Sequence, residues 1–451
     1  MNEYTFTPEK LLIPDVRIMD PKTGRDEQGD ILIEGGQIAA MGRNISAADA
    51  QVLSHDAPLV AAPGLVDTHS HFRDPGFPAK ETIVTGSRAA AKGGYTTILM
   101  MANTTPPIDS VEVLREVLAK ASRAPIHVCS AANVTVGMKG DARTDFAGLA
   151  AAGARVFTDD GIPITDEYLL RDAMKLARKL HIPISLHEED PAFVKNPGIH
   201  AGSRAARALS LEGASREAEI RLVKRDLELA VETGCALCIQ HISAKESVEL
   251  VREAKKKNPL IRAEATPHHF SLTDEIVLEK GTLAKVNPPI RTKEDRDAII
   301  EGLRDKTIEI IATDHAPHTA QEKAQEFTKA PSGMIGLETA LSLGIENLVR
   351  PGHLSLMELL GAMTWNPASW YGFDAGYLAE GGPADLLLFS PEETWTVTER
   401  FASKACNSPF IGRILPGKVH TVIASGRIVF ADEGGTWRFL TEDGGIETIE
   451  A

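Results

Sequence analysis

The sequence predicts an α/β fold: a (β/α)8, TIM-like barrel with a small β domain formed by both chain ends. Between residues 64 and 312, eight apolar runs alternate with amphipathic helical stretches, a pattern typical of a parallel sheet. The first 60 and last 70 residues instead show short strand-like runs separated by turns. Eight strand–helix units favour a closed barrel, and a doubly wound open sheet is the alternative.

Both ends of the chain carry strand patterns. ILIEGGQIAAMG (31–42) is predicted to form a strand, a Gly-Gly turn and a second strand. ADLLLF (384–389) and TVIASGRIVF (421–430) are similar runs near the other end. We therefore expect residues 1–60 and 376–451 to form the small β domain and residues 61–375 to form the barrel.

The predicted barrel strands and helices follow one another in order. Strands are expected near 64–70, 95–101, 126–131, 154–158, 182–187, 236–241, 260–265 and 308–312. Helices are expected near 80–92, 109–120, 166–180, 215–233, 244–257 and 335–349.

Charge and composition exclude several classes of protein. Of 451 residues, 48 are Lys or Arg and 63 are Asp or Glu, a net charge of −15, which disfavours nucleic-acid and anionic-membrane partners. The four Cys suggest no disulfide framework, and Cys235 and Cys238 are interpreted as core residues. No signal peptide or apolar run of about 18 residues occurs. We expect a soluble cytoplasmic protein.

Metal-ligating residue types occur where a barrel builds its site, at the carboxyl ends of strands. GLVDTHSHF places His69 and His71 two residues apart, on one face of a strand and about 6.5 Å apart by the strand rise. Two imidazoles in this arrangement can hold one metal ion.

Later strands end in the same way. ISLHEED places His187, CIQHIS places His241 and IATDHAPH places Asp314 at strand ends, while FTDDG supplies Asp159 and Asp160. Such a set exceeds one tetrahedral site and suits two divalent ions about 3.5–4 Å apart. Imidazole and carboxylate ligands without thiolate favour Zn²⁺, two per subunit, with Mn, Co or Fe as alternatives.

Several longer motifs carry a family resemblance. DTHSHFRDPG, GGYTTILMMANTTPP, FTDDG, HEED, EATPHH, KVNPPIRTKEDR and IATDHAPHT together resemble the bacterial type I dihydroorotases of the amidohydrolase superfamily, over residues 60–430. The resemblance implies a metal-dependent barrel with a β-sandwich formed by both termini. It also implies reversible cyclisation of N-carbamoyl-L-aspartate to L-dihydroorotate in pyrimidine biosynthesis.

The resemblance also implies roles for individual residues. His69, His71 and Asp314 would bind one zinc, His187 and His241 the second, and Asp160 would bridge them. Asp314 would also be catalytic, carrying the proton between the attacking water and the ring nitrogen, with a purely metal-binding role as the alternative. Substrate contacts are implied for His71, Arg73, Asn103, Asn287, His318, Ser332 and Gly333.

Two positions depart from related patterns. Ser332 stands where many relatives carry Phe. Hydantoinases and allantoinases bridge their metals with a carboxylated Lys, and Arg155 is expected at that position here, which leaves Asp160 as the bridge. A hydantoinase or allantoinase activity is the first alternative, and a non-catalytic barrel that supports a transcarbamoylase is the second.

Further expectations concern partners and surroundings. The substrate is a small anion, which Arg73 would bind through its guanidinium. A homodimer and association with aspartate transcarbamoylase are possible partnerships implied by the family. His268, His269 and His315 are candidates to orient metal ligands. The loops 190–214 and 319–333 are either lids or inert surface segments.

Overall fold

The computed structural model describes residues 5–55 and 57–450. The first four residues, Asp56 and Ala451 of the predicted small domain lie outside the described residues. The strands are β1 (Lys10–Asp20), β2 (Arg25–Glu34), β3 (Gln37–Gly42), β4 (Gln51–Val52), β5 (Val60–Pro63), β6 (Leu65–Ser70), β7 (Tyr95–Met100), β8 (His127–Ser130), β9 (Ile184–Leu186), β10 (Leu237–Ile239), β11 (Arg262–Ala265), β12 (Ile310–Ile311), β13 (Leu386–Thr396), β14 (Ile414–Ala424), β15 (Arg427–Asp432), β16 (Thr436–Leu440) and β17 (Ile446–Glu450).

The α-helices lie mainly between the barrel strands. They are α1 (Ile83–Lys92), α2 (Val111–Ala121), α3 (Phe146–Ala152), α4 (Glu167–Leu180), α5 (Arg204–Ala208), α6 (Glu217–Thr233), α7 (Lys245–Lys255), α8 (Pro267–Ser271), α9 (Ile276–Lys280), α10 (Lys293–Arg304), α11 (Ala320–Lys323), α12 (Ala340–Gly344), α13 (Leu356–Met363) and α14 (Trp365–Tyr371). Within the described ranges, no helix is long and apolar enough to cross a membrane.

The barrel closes from two parallel sheets and three parallel bridges. One sheet has the order β6-β7-β8 and the other β12-β11-β10-β9. Phe157 joins them by bridging Ala132 on one side and Ile184 on the other, and Ser70 bridges His315 to close the ring. The predicted barrel is thus confirmed. Its fourth strand, predicted near 154–158, consists only of the bridges that Phe157 makes to its two neighbours.

Local sequence explains the barrel elements. Every residue of β6 and β7 is buried, as expected of parallel strands covered on both faces. In α4, Asp166 caps the amino end by accepting from the backbone N–H groups of Tyr168 and Leu169. The helix buries residues at positions 170, 173, 174 and 177, the spacing of one helical face. These helices cover the strands from outside.

Both chain ends build one ten-stranded sheet. Its order is β17-β16-β15-β14-β13-β5-β1-β2-β3, with β4 paired to β1. The strand β5 lies between the two halves, parallel to β1 and antiparallel to β13. The predicted 31–42 hairpin is confirmed, because β2 pairs with β3 across Gly35 (φ 59°) and Gly36 (φ 80°). Positive φ at both turn positions favours glycine.

Candidate metal and substrate site

His69 and His71 lie at the carboxyl end of β6, where the Nδ1 atom of each imidazole is hydrogen-bonded to another side chain. His69 Nδ1 donates to Glu264 Oε2 at 3.2 Å, and His71 Nδ1 donates to Asn103 Oδ1 at 2.9 Å. In the neutral tautomer that carries its proton on Nδ1, each ring would offer the lone pair of Nε2 to an electrophile. Both rings are buried, so their orientation is set by these two acceptors.

Asp160 connects all four imidazoles. Its Oδ1 lies 3.3 Å from His69 Nε2, and its Oδ2 lies 3.4 Å from His71 Nε2. The same Oδ1 is 3.8 Å from His187 Nδ1 and 3.8 Å from His241 Nε2. Burial alone would raise the pKa of Asp160, but the surrounding imidazoles outweigh it and hold that pKa well below its usual value. Asp160 is therefore an ionised carboxylate facing four nitrogen ligands.

The second imidazole pair converges from β9 and β10. His187 Nδ1 lies 2.8 Å from His241 Nε2, so the two nitrogens point at the same small volume. The other nitrogen of His187 lies 3.5 Å from Glu189 Oε2. Hydrogen bonding of one ring nitrogen leaves the other free to bind a metal.

Asp314 completes the cluster after β12. Its Oδ1 is 3.0 Å from His71 Nε2 and 3.6 Å from His69 Nε2. Burial works to raise the pKa of Asp314, but the hydrogen bond with His71 and the nearby imidazoles lower it below its usual value. Arg73, His241 and Asp314 all have positive φ, at 58°, 29° and 49°, and left-handed non-glycine residues of this kind collect at functional sites.

These residues form two groups with the make-up of a metal centre. His69, His71 and Asp160 make one and Asp160, His187 and His241 the other, with the ligand atoms of each within 4.8 Å of one another. His69 Nε2 has no hydrogen-bond partner although it is buried, which is costly unless an ion occupies its lone pair. The donor set is imidazole and carboxylate, as divalent transition metals require. The residues therefore fit a bound metal.

The two Asp of FTDDG have different roles in the structure. Asp159 accepts from the backbone N–H groups of Val134 and Thr135, at 2.9 Å and 3.1 Å from its nearer oxygens. Asp159 thus anchors the neighbouring loop, while Asp160 faces the imidazoles.

A cavity of about 200 Å³ opens beside the cluster. It is lined by all of the predicted substrate residues, namely His71, Arg73, Asn103, Asn287, His318, Ser332 and Gly333. It also contains Asp160 and Asp314. A second cavity, of about 190 Å³, lies against Lys92, Trp395 and Trp437 and contains none of the predicted site residues.

Arg73 brings a positive charge to the substrate cavity, and the carboxylates of Asp314 and Asp160 act on it only from beyond ion-pair distance. Arg73 Nη2 lies 3.5 Å from His318 Nε2, and Arg73 Nε is buried without a hydrogen-bond partner. Among residues 5–55 and 57–450, no carboxylate oxygen forms an ion pair with Arg73. Burial lowers the pKa of Arg73, yet a guanidinium stays charged at any physiological pH. The cavity is thus suited to an anionic group.

His318 is neutral in this environment. Burial, then the charges of Arg73 and Lys80, lower the pKa of His318 to about 2. Lys80 Nζ donates to His318 Nδ1 at 3.3 Å, and His318 Nε2 donates to the Ser332 carbonyl at 2.9 Å. Its tautomer is therefore set, and the ring connects the cavity to the segment that carries Ser332.

Some orienting residues differ from the sequence-based expectations. His269 contacts the Pro288 carbonyl at 3.1 Å and His315 Nε2 lies 3.4 Å from Glu81, so in the described residues neither ring hydrogen-bonds to a predicted metal ligand. The backbone carbonyl of His315 does accept from the N–H of His71, at 2.8 Å. Glu264 holds His69 instead. In the sequence, the only sign of this role is that Glu264 lies near the end of β11, in the motif EATPHH.

The expectation for Arg155 is wrong in one respect. Its side chain is exposed, and it therefore lies outside the metal cluster rather than at a bridging position. The lining of the substrate cavity nevertheless includes no lysine, so no residue there can form a bridging carbamate.

Comparisons with known proteins agree with this geometry. Residues 59–247 match the family described as "Dihydro-orotase-like". A dihydroorotase of Clostridioides difficile (strain 630) is 51% identical over 420 residues, 93% of this chain and 99% of that protein. The chain belongs to the dihydroorotase family. A Streptococcus thermophilus (strain CNRZ 1066) dihydroorotase is 50% identical over 421 residues, again 93% of this chain and 99% of the relative.

Solved structures support the fold of this family member. The L-hydantoinase (dihydropyrimidinase) from Arthrobacter aurescens superposes with a TM-score of 0.81 at 25% identity, covering 94% of this chain and 96% of that chain. A D-hydantoinase from Thermus sp. gives a TM-score of 0.81 at 22% identity, covering 96% and 97%. The barrel and the terminal sheet are thus a shared scaffold, and the site residues must decide the substrate.

Proposed function

We propose that this protein is a dihydroorotase that interconverts N-carbamoyl-L-aspartate and L-dihydroorotate in pyrimidine biosynthesis. The observation that carries the proposal is the Arg73 guanidinium in the cavity beside the carboxylate–imidazole cluster, which forms no ion pair with any residue that the structure describes. A cyclic amide with a carboxylate substituent would satisfy that charge through a bidentate pair. A neutral hydantoin ring would provide no carboxylate for that pair.

The site would hold two zinc ions. His69, His71 and Asp314 would bind one, His187 and His241 the other, and Asp160 both. The buried, unpartnered His69 Nε2 and the short His187–His241 contact support this assignment. Bound divalent ions polarise a carbonyl and lower the pKa of a bound water to about 7.

Asp314 would carry the proton. During ring opening its carboxylate accepts a proton from the attacking water and delivers it to the departing ring nitrogen, and closure is the reverse. Its place supports this role, because Asp314 contacts the metal-ligand cluster at His71 and also lines the substrate cavity. General acid–base transfer of this type contributes about 10²–10⁴-fold.

The remaining cavity residues would place the substrate. Arg73 would bind its carboxylate, with His318, Asn287, Ser332 and Gly333 around it. Asn103 would have a second role, because its oxygen accepts from His71 and its amide donates to Asp160 Oδ2 at 3.2 Å. We therefore assign Asn103 both a substrate contact and the orientation of two ligands.

The test is steady-state ring opening of L-dihydroorotate, hydantoin and allantoin by one metal-analysed preparation. We expect dihydroorotate to be turned over with a kcat/KM at least about tenfold above the neutral rings, since they leave Arg73 unpaired. Preference for hydantoin or allantoin would assign the protein to those activities. Absence of both bound metal and turnover would instead identify a non-catalytic barrel.

Wider properties follow from the same assignment. We propose a cytoplasmic enzyme acting on a small anion, as a homodimer that associates with an aspartate transcarbamoylase. Size-exclusion chromatography alone and with the transcarbamoylase measures both associations.

A further inference from the structure

Two buried lysines lie behind the substrate cavity. Lys285 is 2% exposed and Lys323 is 3% exposed. In the part of the chain that the structure describes, neither ammonium forms an ion pair, and the adjacent Glu322 is paired with Lys80 at 2.9 Å. Burying an ammonium without a counterion is costly unless its donors are satisfied. The position of their acceptors is therefore informative.

Lys285 donates into a single chain segment. Its Nζ contacts the carbonyl oxygens of Phe327 and Ala330, each at 2.7 Å. Its own carbonyl accepts from the backbone N–H of Gly333 at 2.8 Å. Lys285 therefore holds both ends of the stretch 327–333.

Lys323 donates to the same stretch from the end of α11. Its Nζ contacts the carbonyl of Pro331 at 3.0 Å and that of Gly333 at 2.9 Å. Burial, together with the charge of Lys285, lowers the pKa of Lys323 to about 7. The buried position thus disfavours the charged form of Lys323. Its hydrogen bonds to the carbonyls of Pro331 and Gly333 offset the cost of burying the ammonium.

The ordered stretch reaches the cavity through Ser332 and Gly333. Ser332 accepts from His318 Nε2 through its carbonyl and donates its hydroxyl to Asn287 Oδ1 at 3.0 Å. Gly333 has φ +133°, and a Cβ there would lie 2.7 Å from the Ala316 side chain. The segment therefore has little freedom, and the two ammonium groups hold the carbonyls on either side of Ser332.

We propose that Lys285 and Lys323 are positioning residues that place the segment 327–333, and through it Ser332 and Gly333, against the substrate. The inference rests on the proposed function, because it assigns this segment to substrate binding. Neither lysine lines the cavity, so each acts through the backbone that it holds. Their loss should weaken substrate binding more than the chemical step, because the contacts concerned are made by Ser332 and Gly333 and not by the proton carrier Asp314.

The experiment compares Lys323→Met with Lys323→Arg and with a matched control, Lys293→Met. Lys293 lies on α10, outside the segment 327–333, and its side chain is 68% exposed and pairs with Asp297. The wild-type enzyme is assayed first on L-dihydroorotate, and failure at that step would refute the proposed function rather than this inference.

For Lys323→Met we expect KM for L-dihydroorotate to rise about tenfold, as for loss of a charge-assisted hydrogen bond, with kcat within about threefold of wild type. Metal content should equal that of wild type. Lys323→Arg should recover part of the KM, and Lys293→Met should change neither constant.

An unchanged KM in folded Lys323→Met would overturn the proposal, as would equal losses in kcat and in kcat/KM. Should Lys323→Met fail to fold, Lys323→Gln is measured in its place, because its amide is polar enough for the site but lacks the charge and the length that bring Nζ to the carbonyls of Pro331 and Gly333. A wild-type KM in that uncharged, shorter variant would likewise overturn the positioning role.

Discussion

Replacing Arg73 with Ala removes the positive charge of the guanidinium from the cavity. It leaves the backbone at residue 73 in the same left-handed conformation. Arg73 has φ 58°, and Ala carries the same Cβ, so the strain of the left-handed conformation is unchanged. The side chain makes no ion pair within residues 5–55 and 57–450, and its closest polar contact is His318 at 3.5 Å. The free energy of unfolding should therefore change little, and the effect should fall on substrate.

The magnitude follows from the pair that the substrate would form. A charge-assisted hydrogen bond contributes about 1.5–3 kcal/mol, which corresponds to about tenfold to a hundredfold or more in kcat/KM. We expect at least this loss for L-dihydroorotate. Arg73→Lys should recover only part, because an ammonium keeps the charge without the planar fork.

The assay is steady-state ring opening of L-dihydroorotate and of a neutral cyclic imide by the same preparations. Arg350→Ala is the matched control, since that arginine forms an exposed pair with Glu346. The neutral imide should lose little in Arg73→Ala. Equal impairment on both substrates would show that Arg73 is structural, and would remove the main reason to prefer dihydroorotate over a neutral ring.

Four further outcomes are expected. Asp314→Asn should retain the fold and lose most activity in both directions, and near wild-type turnover of the metal-loaded variant would refute the proton-carrier role. Asp160→Ala should bind fewer metal ions than wild type by elemental analysis, and wild-type activity should be independent of bicarbonate; rescue by bicarbonate would instead indicate a lysine carbamate. Glu264→Gln should weaken metal binding by about tenfold or more in equilibrium titration, because His69 loses a charged acceptor; unchanged affinity would contradict this. His318→Gln should lower kcat/KM about tenfold, as for one lost hydrogen bond, without moving the acid limb of the pH profile. Burial and the charge of Arg73 lower the pKa of His318 to about 2, so the ring is neutral above that pH. A shift of the acid limb in His318→Gln would mean that His318 titrates in the assayed range.

The sequence alone predicted the barrel, because the patterns that indicate its strands and helices each lie within a short stretch of residues. The buried face of α4 repeats within four residues, and the apolar residues that begin β6, Leu65 and Val66, and those that end β7, 98–100, are evident in short runs of sequence. Parallel strands in a barrel end on one rim, so the sequence alone groups His69, His187, His241 and Asp314.

Some features of the site were beyond local patterns. Asp159 and Asp160 are adjacent and chemically identical, and only the resemblance distinguished them; in the structure Asp159 faces the backbone of Val134 and Thr135. Arg155 was expected near the metals, yet its side chain is exposed. Successive side chains of a strand point to opposite faces of the sheet. An error of one residue in the assigned position therefore moves a side chain such as that of Arg155 from the inner face to the outer face.

Tertiary structure decided the contacts that orient the site. His69 and Glu264 are 195 residues apart in the chain, and Lys285 is 45 residues from the Ala330 carbonyl that it holds. A glutamate or a lysine in a sequence is normally read as a surface residue, because burial of its charge is unfavourable without partners. Those partners are brought together only when the ring of strands closes and the loops fold over its rim. The sequence therefore determined which groups lie at the rim, and packing determined which of them are held, oriented and left free for a substrate.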